Sequence, residues 1–148
     1  MYQKLTYGGT ECNSYLYFAF YADCFDVNLV TEKLHLMPTS VRIKQEPIPV
    51  STSWNYRVDA GNEVDLVTFI NKLIDVFDPK IEEILHIKKE LNLKTVLQFV
   101  IYIDIDPETS TPFFGFNDRV IHFLAQTRTE VDFDIYKADR LGLLEEEQ

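Results

Sequence analysis

Two short acidic motifs, Asp104-Ile105-Asp106 and Asp132-Phe133-Asp134, come nearest to carrying chemistry in this sequence. In each, the two carboxylates are separated by one residue, so on a strand they point to the same side. If the two segments are sheet neighbours, up to four carboxylates converge, a donor set suited to a hard cation with oxygen ligands. Against that, Asp104-x-Asp106 lacks the further ligands and the glycine turn of a calcium loop. Outward aspartates on a solvated strand also serve simply to block edge-to-edge aggregation. The reading preferred is therefore a solvated acidic surface with no bound metal and no cofactor.

Other chemistry finds little purchase. His35, His86 and His122 fall in separate expected helices, and none has a second ligand at helical spacing. Nucleophile motifs of the GxSxG kind are missing, and Gly8-Gly9 has no following Lys-Ser/Thr that would make it a phosphate loop. These patterns point away from an enzyme.

Tyr15, Tyr17 and Tyr21 form an aromatic row on one side of an expected strand. Open sheets that stack RNA bases look like this, but they set lysines and arginines beside the aromatics, and this strand has none. A protein or small-ligand surface suits the row better, and partial burial beneath loops, with the phenols reaching water or a backbone carbonyl, suits it better still.

The elements that must position these residues are legible from periodicity. In Ser14 to Ala22, Leu16, Phe18, Phe20 and Ala22 alternate with the tyrosines and face the core. Asp26 caps a helix carrying Val27, Val30, Leu34 and Met37, which Pro38 ends. Ser40 to Gln45 is expected as a strand with Val41 and Ile43 inward, and Ser53 to Asp59 as one with Trp54, Tyr56 and Val58 on one face. A helix from about Val64 to Phe77 buries Leu66 or Val67, Ile70, Leu73, Ile74 and Phe77. Asp78-Pro79 restarts it, with Ile81, Ile84, Leu85 and Leu91 as the apolar stripe. Lys94 to Ile105 is the strongest strand and central, since its second face is also partly apolar. Asn117 and Asp118 cap a helix bearing Val120, Ile121, Phe123 and Leu124, and Glu130 to Tyr136 closes with Val131, Phe133 and Ile135 inward. An extra strand near Gln3 to Tyr7 is a further expectation. The expected class is α+β: a mostly antiparallel sheet with helices on one face, its first six elements in ferredoxin-like β-α-β-β-α-β order, followed by an extra α-β.

With 148 residues, 46% of them hydrophobic, the chain is long enough to bury a core without a disulfide or metal staple. No linker or repeat divides it, so residues 1–148 are expected to form a single domain with a frayed acidic tail from about residue 138. Met1-Tyr2-Gln3-Lys4 leads into a polar stretch, and the longest apolar run, Tyr15 to Ala22, is eight residues, too short to cross a bilayer. Cys12 and Cys24 belong to no metal-type cluster, so a cytoplasmic location with both thiols reduced is expected. The formal charge is −10 and uneven. Residues 1–74 carry 6 basic and 8 acidic side chains, whereas residues 75–148 carry 8 and 16. Such a surface repels phosphate backbones and anionic lipid heads, which argues against nucleic acid and membrane partners and admits a basic protein, while solubility alone is the preferred account of the charge.

The run Tyr15-Leu16-Tyr17-Phe18, then Asp23 to Asp26, then Val30 to Thr39 with its Leu36-Met37-Pro38-Thr39 turn, resembles the opening of a bacterial family known as domain of unknown function 4279. Trp54, the helix from Val64, the strand Leu97 to Ile103 and the closing Asp132-Phe133-Asp134-Ile135-Tyr136 are also similar, so the resemblance spans most of residues 14–137. One departure stands out: Arg42-Ile43-Lys44-Gln45-Glu46 lacks the glycine that the family places after its Pro-Thr turn, which bears on the connection between the second and third strands. The resemblance implies a compact α+β domain and brings no reaction, cofactor or catalytic residue.

The expected function is a non-enzymatic protein-binding module, in one concrete form an immunity-type inhibitor of a basic toxin. Asp104, Asp106, Asp132 and Asp134 are its candidate contacts. The rivals are a metal- or small-ligand-binding protein using the same aspartates, and a homo-oligomeric structural domain, such as a homodimer, that uses an open sheet face.

Overall fold

The computed structural model describes residues 12–144. Strand β1 (Ser14–Ala22) is followed by helix α1 (Val27–Leu34), strand β2 (Ser40–Arg42), strand β3 (Thr52–Gly61) and helix α2 (Val67–Phe77). A single 3-10 turn, Asp78–Lys80, leads to helix α3 (Ile81–Leu91), strand β4 (Lys94–Asp104), helix α4 (Asp118–Thr127) and strand β5 (Glu130–Ala138). The fold is α+β, with a five-stranded, mostly antiparallel sheet in the order β2-β3-β1-β4-β5. The pairs β2–β3, β3–β1 and β1–β4 are antiparallel. The β4–β5 pair is parallel, which the α4 crossover makes possible.

Alternation along β1 decides where the core lies. Leu16, Phe18 and Phe20 are buried together with Val30 and Leu34 of α1, Ile70, Ile74 and Phe77 of α2, Ile84 and Ile87 of α3, and Val120 and Phe123 of α4. All four helices therefore pack on the even-numbered face of β1. Aromatic rings fill the centre: Phe18 lies 4.5 Å from Phe77, 5.4 Å from Phe20 and 5.8 Å from Phe123 between centroids. Trp54 is fully buried, and its indole N–H donates to Thr31 Oγ1 at 3.0 Å, so α1 is tied to β3 by a satisfied polar contact.

Local rules account for the element ends. Asp26 Oδ1 accepts from the Asn28 N–H at 2.9 Å, and Asn117 Oδ1 accepts from the Val120 N–H at 3.0 Å, each relieving a donor that the first helical turn leaves unpaired. Asp26→Ala is expected to cost about 1 kcal/mol; urea unfolding checks it, and an unchanged midpoint would show that the cap contributes nothing. At the far ends His35, Asn92 and Arg128 take left-handed backbone conformations (φ 50°, 53° and 52°) and stop their helices.

Several expectations need correction. Helix α1 stops at Leu34, one turn early, because the His35 and Leu36 N–H groups close back on the Thr31 carbonyl. Met37 is therefore beyond the helix and 72% exposed. Strand β2 ends at Arg42, and Val41 and Ile43 face solvent. Past Arg42 the chain closes a loop instead, with Gln45 N–H donating to Pro49 O and Lys44 paired with Asp23. Helix α2 begins at Val67, not Val64, because Val64 and Leu66 are engaged by Phe113 and Asp65 caps the Val67 N–H. On α3 the buried stripe is Ile84 and Ile87, while Leu85 is turned outward. Ile121 on α4 is exposed, whereas Val120 and Phe123 are buried. On β5 the cover of the expected inward trio thins along the strand: Val131 packs against the core, Phe133 is partly exposed and Ile135 is largely uncovered. Helix α4, with 10 residues, is about 15 Å long and β5, with 9, about 30 Å, so the helix covers only the start of the strand. Phe133 retains a stack on Phe99 (5.0 Å) and Phe114 (5.5 Å), but Ile135 is 58% exposed.

Cys12 and Cys24 are not bonded to each other. The strand expected at Gln3 to Tyr7 lies outside the described residues, as do the last four residues of the acidic tail. The described part of the tail forms a turn in which Asp139 accepts from the Leu143 and Leu144 N–H groups. Among the described residues no helix is long and apolar enough to cross a membrane.

Candidate binding surface on the open face of the sheet

With the described helices all on one side, the odd-numbered face of β1 carries no helical layer among the described residues. Tyr15, Tyr17, Ala19 and Tyr21 form the floor of a groove of about 480 Å3 on this face. Strands β2 and β3 bring Ser40, Arg42, Ser53, Asn55 and Arg57 to one side, and β4 and β5 bring Val96, Gln98, Glu130 and Asp132 to the other. The pairing register makes a transverse row: Arg57 lies opposite Tyr17, Tyr17 opposite Gln98, and Gln98 opposite Asp132. The row passes from a cation through an aromatic ring and an amide to a carboxylate, across three strand spacings or about 14 Å.

Much of this face is already positioned. The Arg57 guanidinium lies 3.5 Å from the Tyr15 ring centroid and is held from behind by Asp59 at 2.6 Å. Asn55, nearly buried, donates to Ser53 Oγ (3.1 Å) and Ser40 Oγ (3.3 Å). Gln98 Nε2 donates to Asp134 Oδ2 at 3.3 Å, and the Tyr21 hydroxyl donates to Glu130 Oε2 at 3.2 Å, reaching across β4. Arg42 has no ion-pair partner among the described residues.

Burial pushes the Tyr17 phenol above its ordinary pKa; Arg42 pulls it down, while Tyr15, Asp134 and Asp132 push it further up. Tyr21 is raised by burial and by the charge and hydrogen bond of Glu130. Both phenols are therefore neutral at physiological pH and available as hydrogen-bond donors and acceptors.

The two acidic motifs do sit on neighbouring strands, but the parallel register holds them apart. Asp132 pairs with Gln98, whereas Asp104 pairs with Ala138, six positions further along, or about 20 Å. Asp104 and Asp106 are engaged locally. Asp104 accepts from the Asp106 N–H and from Arg140 Nε, both at 3.0 Å, and Asp106 accepts from the Glu108 N–H and the Thr109 hydroxyl. Among the described residues no group of three or more His, Cys, Asp or Glu side chains is placed to hold a metal ion. Asp132 and Asp134 face the open side beside the tyrosines.

The Asp106 N–H, and then Arg140, hold the Asp104 carboxyl below the usual range. Because its folded pKa lies below the unfolded value of about 3.9, its stabilising effect is complete above about pH 5 and is lost as pH falls through the folded pKa. Asp104→Asn should therefore flatten the acid limb of a melting-temperature profile below pH 4; a limb as steep as that of the parent chain would contradict this.

The tyrosines are legible in the sequence of β1, whereas the arginines beside them are not. Arg42 and Arg57 come from β2 and β3, and no local pattern in β1 announces which strands flank it. The only signal is the alternation in β3, which sends Arg57 to the face opposite Trp54.

No curated protein and no solved structure matches the chain. A family model described as Domain of unknown function (DUF4279) matches residues 10–138, a span that runs through β1 and ends with the last residue of β5. The chain that folds into this sheet and its open tyrosine face belongs to the DUF4279 family.

Proposed function

We propose that the chain is a non-enzymatic protein-binding module that works through the open face of its sheet. The observation that carries this reading is the make-up of that face: three tyrosines on a rigid strand, flanked by arginines on one side and carboxylates on the other. Tyrosine and arginine are the side chains that most often dominate protein interfaces, because each offers a large contact area with a polar end. Stacking and hydrogen bonding within the face hold several of these groups in place before a partner arrives, which lowers the entropic cost of association.

In its concrete form the module is an immunity-type inhibitor that holds a basic toxin. The net charge of −10 supports long-range attraction of such a partner, and Asp132 and Asp134 are the contacts. Asp104 and Asp106 contribute less, since both are occupied by neighbours within the chain. The first four strands are read as a ferredoxin-like split βαβ unit, supported by the order β2-β3-β1-β4 with every adjacent pair antiparallel.

The test is capture of partners from the producing cells by the wild-type chain and by Asp132→Lys/Asp134→Lys, at low and at high salt. The expected result is a basic protein held at low salt, weakened by high salt and lost with the double variant. Capture that ignores both salt and charge reversal, or no capture at all, would defeat the proposal.

A further inference from the structure

The two edges of the sheet are very different. Strand β2 is only three residues long, a common way of leaving little edge to pair with. Strand β5 is nine residues long, and among the described residues its only strand partner is β4. Among the described residues, its outer side therefore presents a row of backbone N–H and C=O groups along Glu130–Ala138. Side chains flanking that row alternate: Glu130, Asp132 and Asp134 lie on the open face, and Val131, Phe133 and Ile135 on the helix face, where Ile135 is largely uncovered.

We propose that the outer edge of β5 accepts an extended segment of a partner protein in which basic residues alternate with apolar ones, adding a sixth strand to the sheet. Backbone pairing would supply affinity, and the alternation would supply register. Lysine or arginine on the open side would lie opposite Asp132 and Asp134, and apolar residues on the other side would cover Phe133 and Ile135. A second copy of this chain is a poor occupant. Antiparallel self-pairing in the registers that overlap most of the strand, centred on Asp134 or on Phe133, sets Asp134 against itself or Asp132 against Asp134, and registers free of such clashes, centred on Ile135 or beyond, pair a shorter stretch. The same aspartates that discourage self-association thus select a basic strand. This inference rests on the reading of the chain as a protein-binding module, and it names the element of the partner that would be held.

The probe is a capped peptide, Lys-Val-Lys-Phe-Lys-Val-Lys, titrated calorimetrically into the full chain. It is compared with a Glu-for-Lys version and with a version N-methylated at alternate amides. The Lys peptide is expected to bind with a Kd below about 100 µM. N-methylation and Asp132→Lys/Asp134→Lys are each expected to weaken it at least about tenfold, and the Glu peptide should bind only the charge-reversed variant. Equal binding of the N-methylated peptide would reduce the effect to charge alone and overturn the edge proposal. So would indifference to charge reversal, absence of binding, or a self-dimer that the peptide displaces. Tyr17→Ala separates the two readings, because it removes a ring from the open face and leaves the backbone of β5 intact. Peptide affinity lost with Tyr17→Ala but insensitive to N-methylation would reject the edge and leave the open face standing. A Lys peptide that pairs as expected while cellular partners ignore Tyr17 would do the reverse.

Discussion

Phe18→Ala is expected to lower the unfolding free energy by about 3–5 kcal/mol, the largest effect of any single truncation considered. Its ring sits where the sheet meets α2 and α4: Phe77 and Phe123 approach it from the helices and Phe20 from its own strand. Truncation removes the transfer free energy of the ring and leaves a cavity whose walls are other aromatic rings, which relax poorly. Against a typical total of about 5–15 kcal/mol, such a loss would leave a marginal protein. Urea unfolding monitored by the buried Trp54 measures it, and Phe18→Leu, which keeps most of the volume, should recover much of the loss. A loss below about 1 kcal/mol would mean that the ring is not enclosed as described.

The second large effect is electrostatic. Lys88, near the end of α3, places Nζ at 2.9 Å from Thr95 Oγ1, 2.7 Å from the Thr127 carbonyl and 3.0 Å from the Arg128 carbonyl. These carbonyls close α4, where the helix dipole favours a cation and the last acceptors lack partners within the helix. Burial holds the Lys88 ammonium below the usual lysine range, Arg128 acts in the same direction, and Glu130 opposes them. Desolvation therefore makes the charge itself unfavourable in the fold, and what Lys88 contributes is the pairing of carbonyls that would otherwise lack a donor. Lys88→Met keeps the aliphatic stem but leaves the carbonyls unpaired, and is expected to destabilise by about 1–3 kcal/mol. Faster amide exchange in the last turn of α4 should accompany it. An unchanged melting temperature would show that water replaces the ammonium without cost. Because the folded pKa lies below the unfolded one, the charged lysine is disfavoured in the fold at pH values beneath both, and this penalty fades as pH rises past them. Lys88→Met should remove that alkaline-side dependence. A similar bond, from Lys80 Nζ to the Leu34 carbonyl at 2.7 Å, closes α1.

What the sequence made legible follows from how local each cause is. Strand β1 spans the residues that alternation assigns to it, because two-residue periodicity is written within the strand itself. Asp26 and Asn117 cap their helices as their residue types suggest, since the capped N–H lies two or three residues away. Errors arise where a neighbouring element decides. Ile135 alternates correctly with Asp134 and Tyr136, yet α4 is too short to cover it. Ile87 is buried and Leu85 is not because α3 turns the side bearing Ile84 and Ile87 to the core, a choice made by the elements it packs against. Val41 and Ile43 alternate as inward residues of a strand would, and the loop that draws Lys44 toward Asp23 leaves no signature in that alternation.

The candidate site divides along the same line. The tyrosine row is local to β1 and readable, whereas its arginines arrive through strand order. Acidic spacing within each motif is equally readable, but the six-position offset between Asp104 and the partner of Asp132 is a property of register. Register and strand order come from long-range packing, which short periodicities do not encode.

The central claim is that the face of the sheet opposite the helices is the surface through which the chain acts. Its most direct test is the affinity of the captured partner for the wild-type chain, for Tyr17→Ala on the open face, and for Leu85→Ala on the solvent side of α3. A tenfold or greater weakening is expected for Tyr17→Ala, with Leu85→Ala within about twofold of the parent. Equal affinity of Tyr17→Ala and the parent, with loss confined to Leu85→Ala, would place the binding surface on the helices and contradict the account.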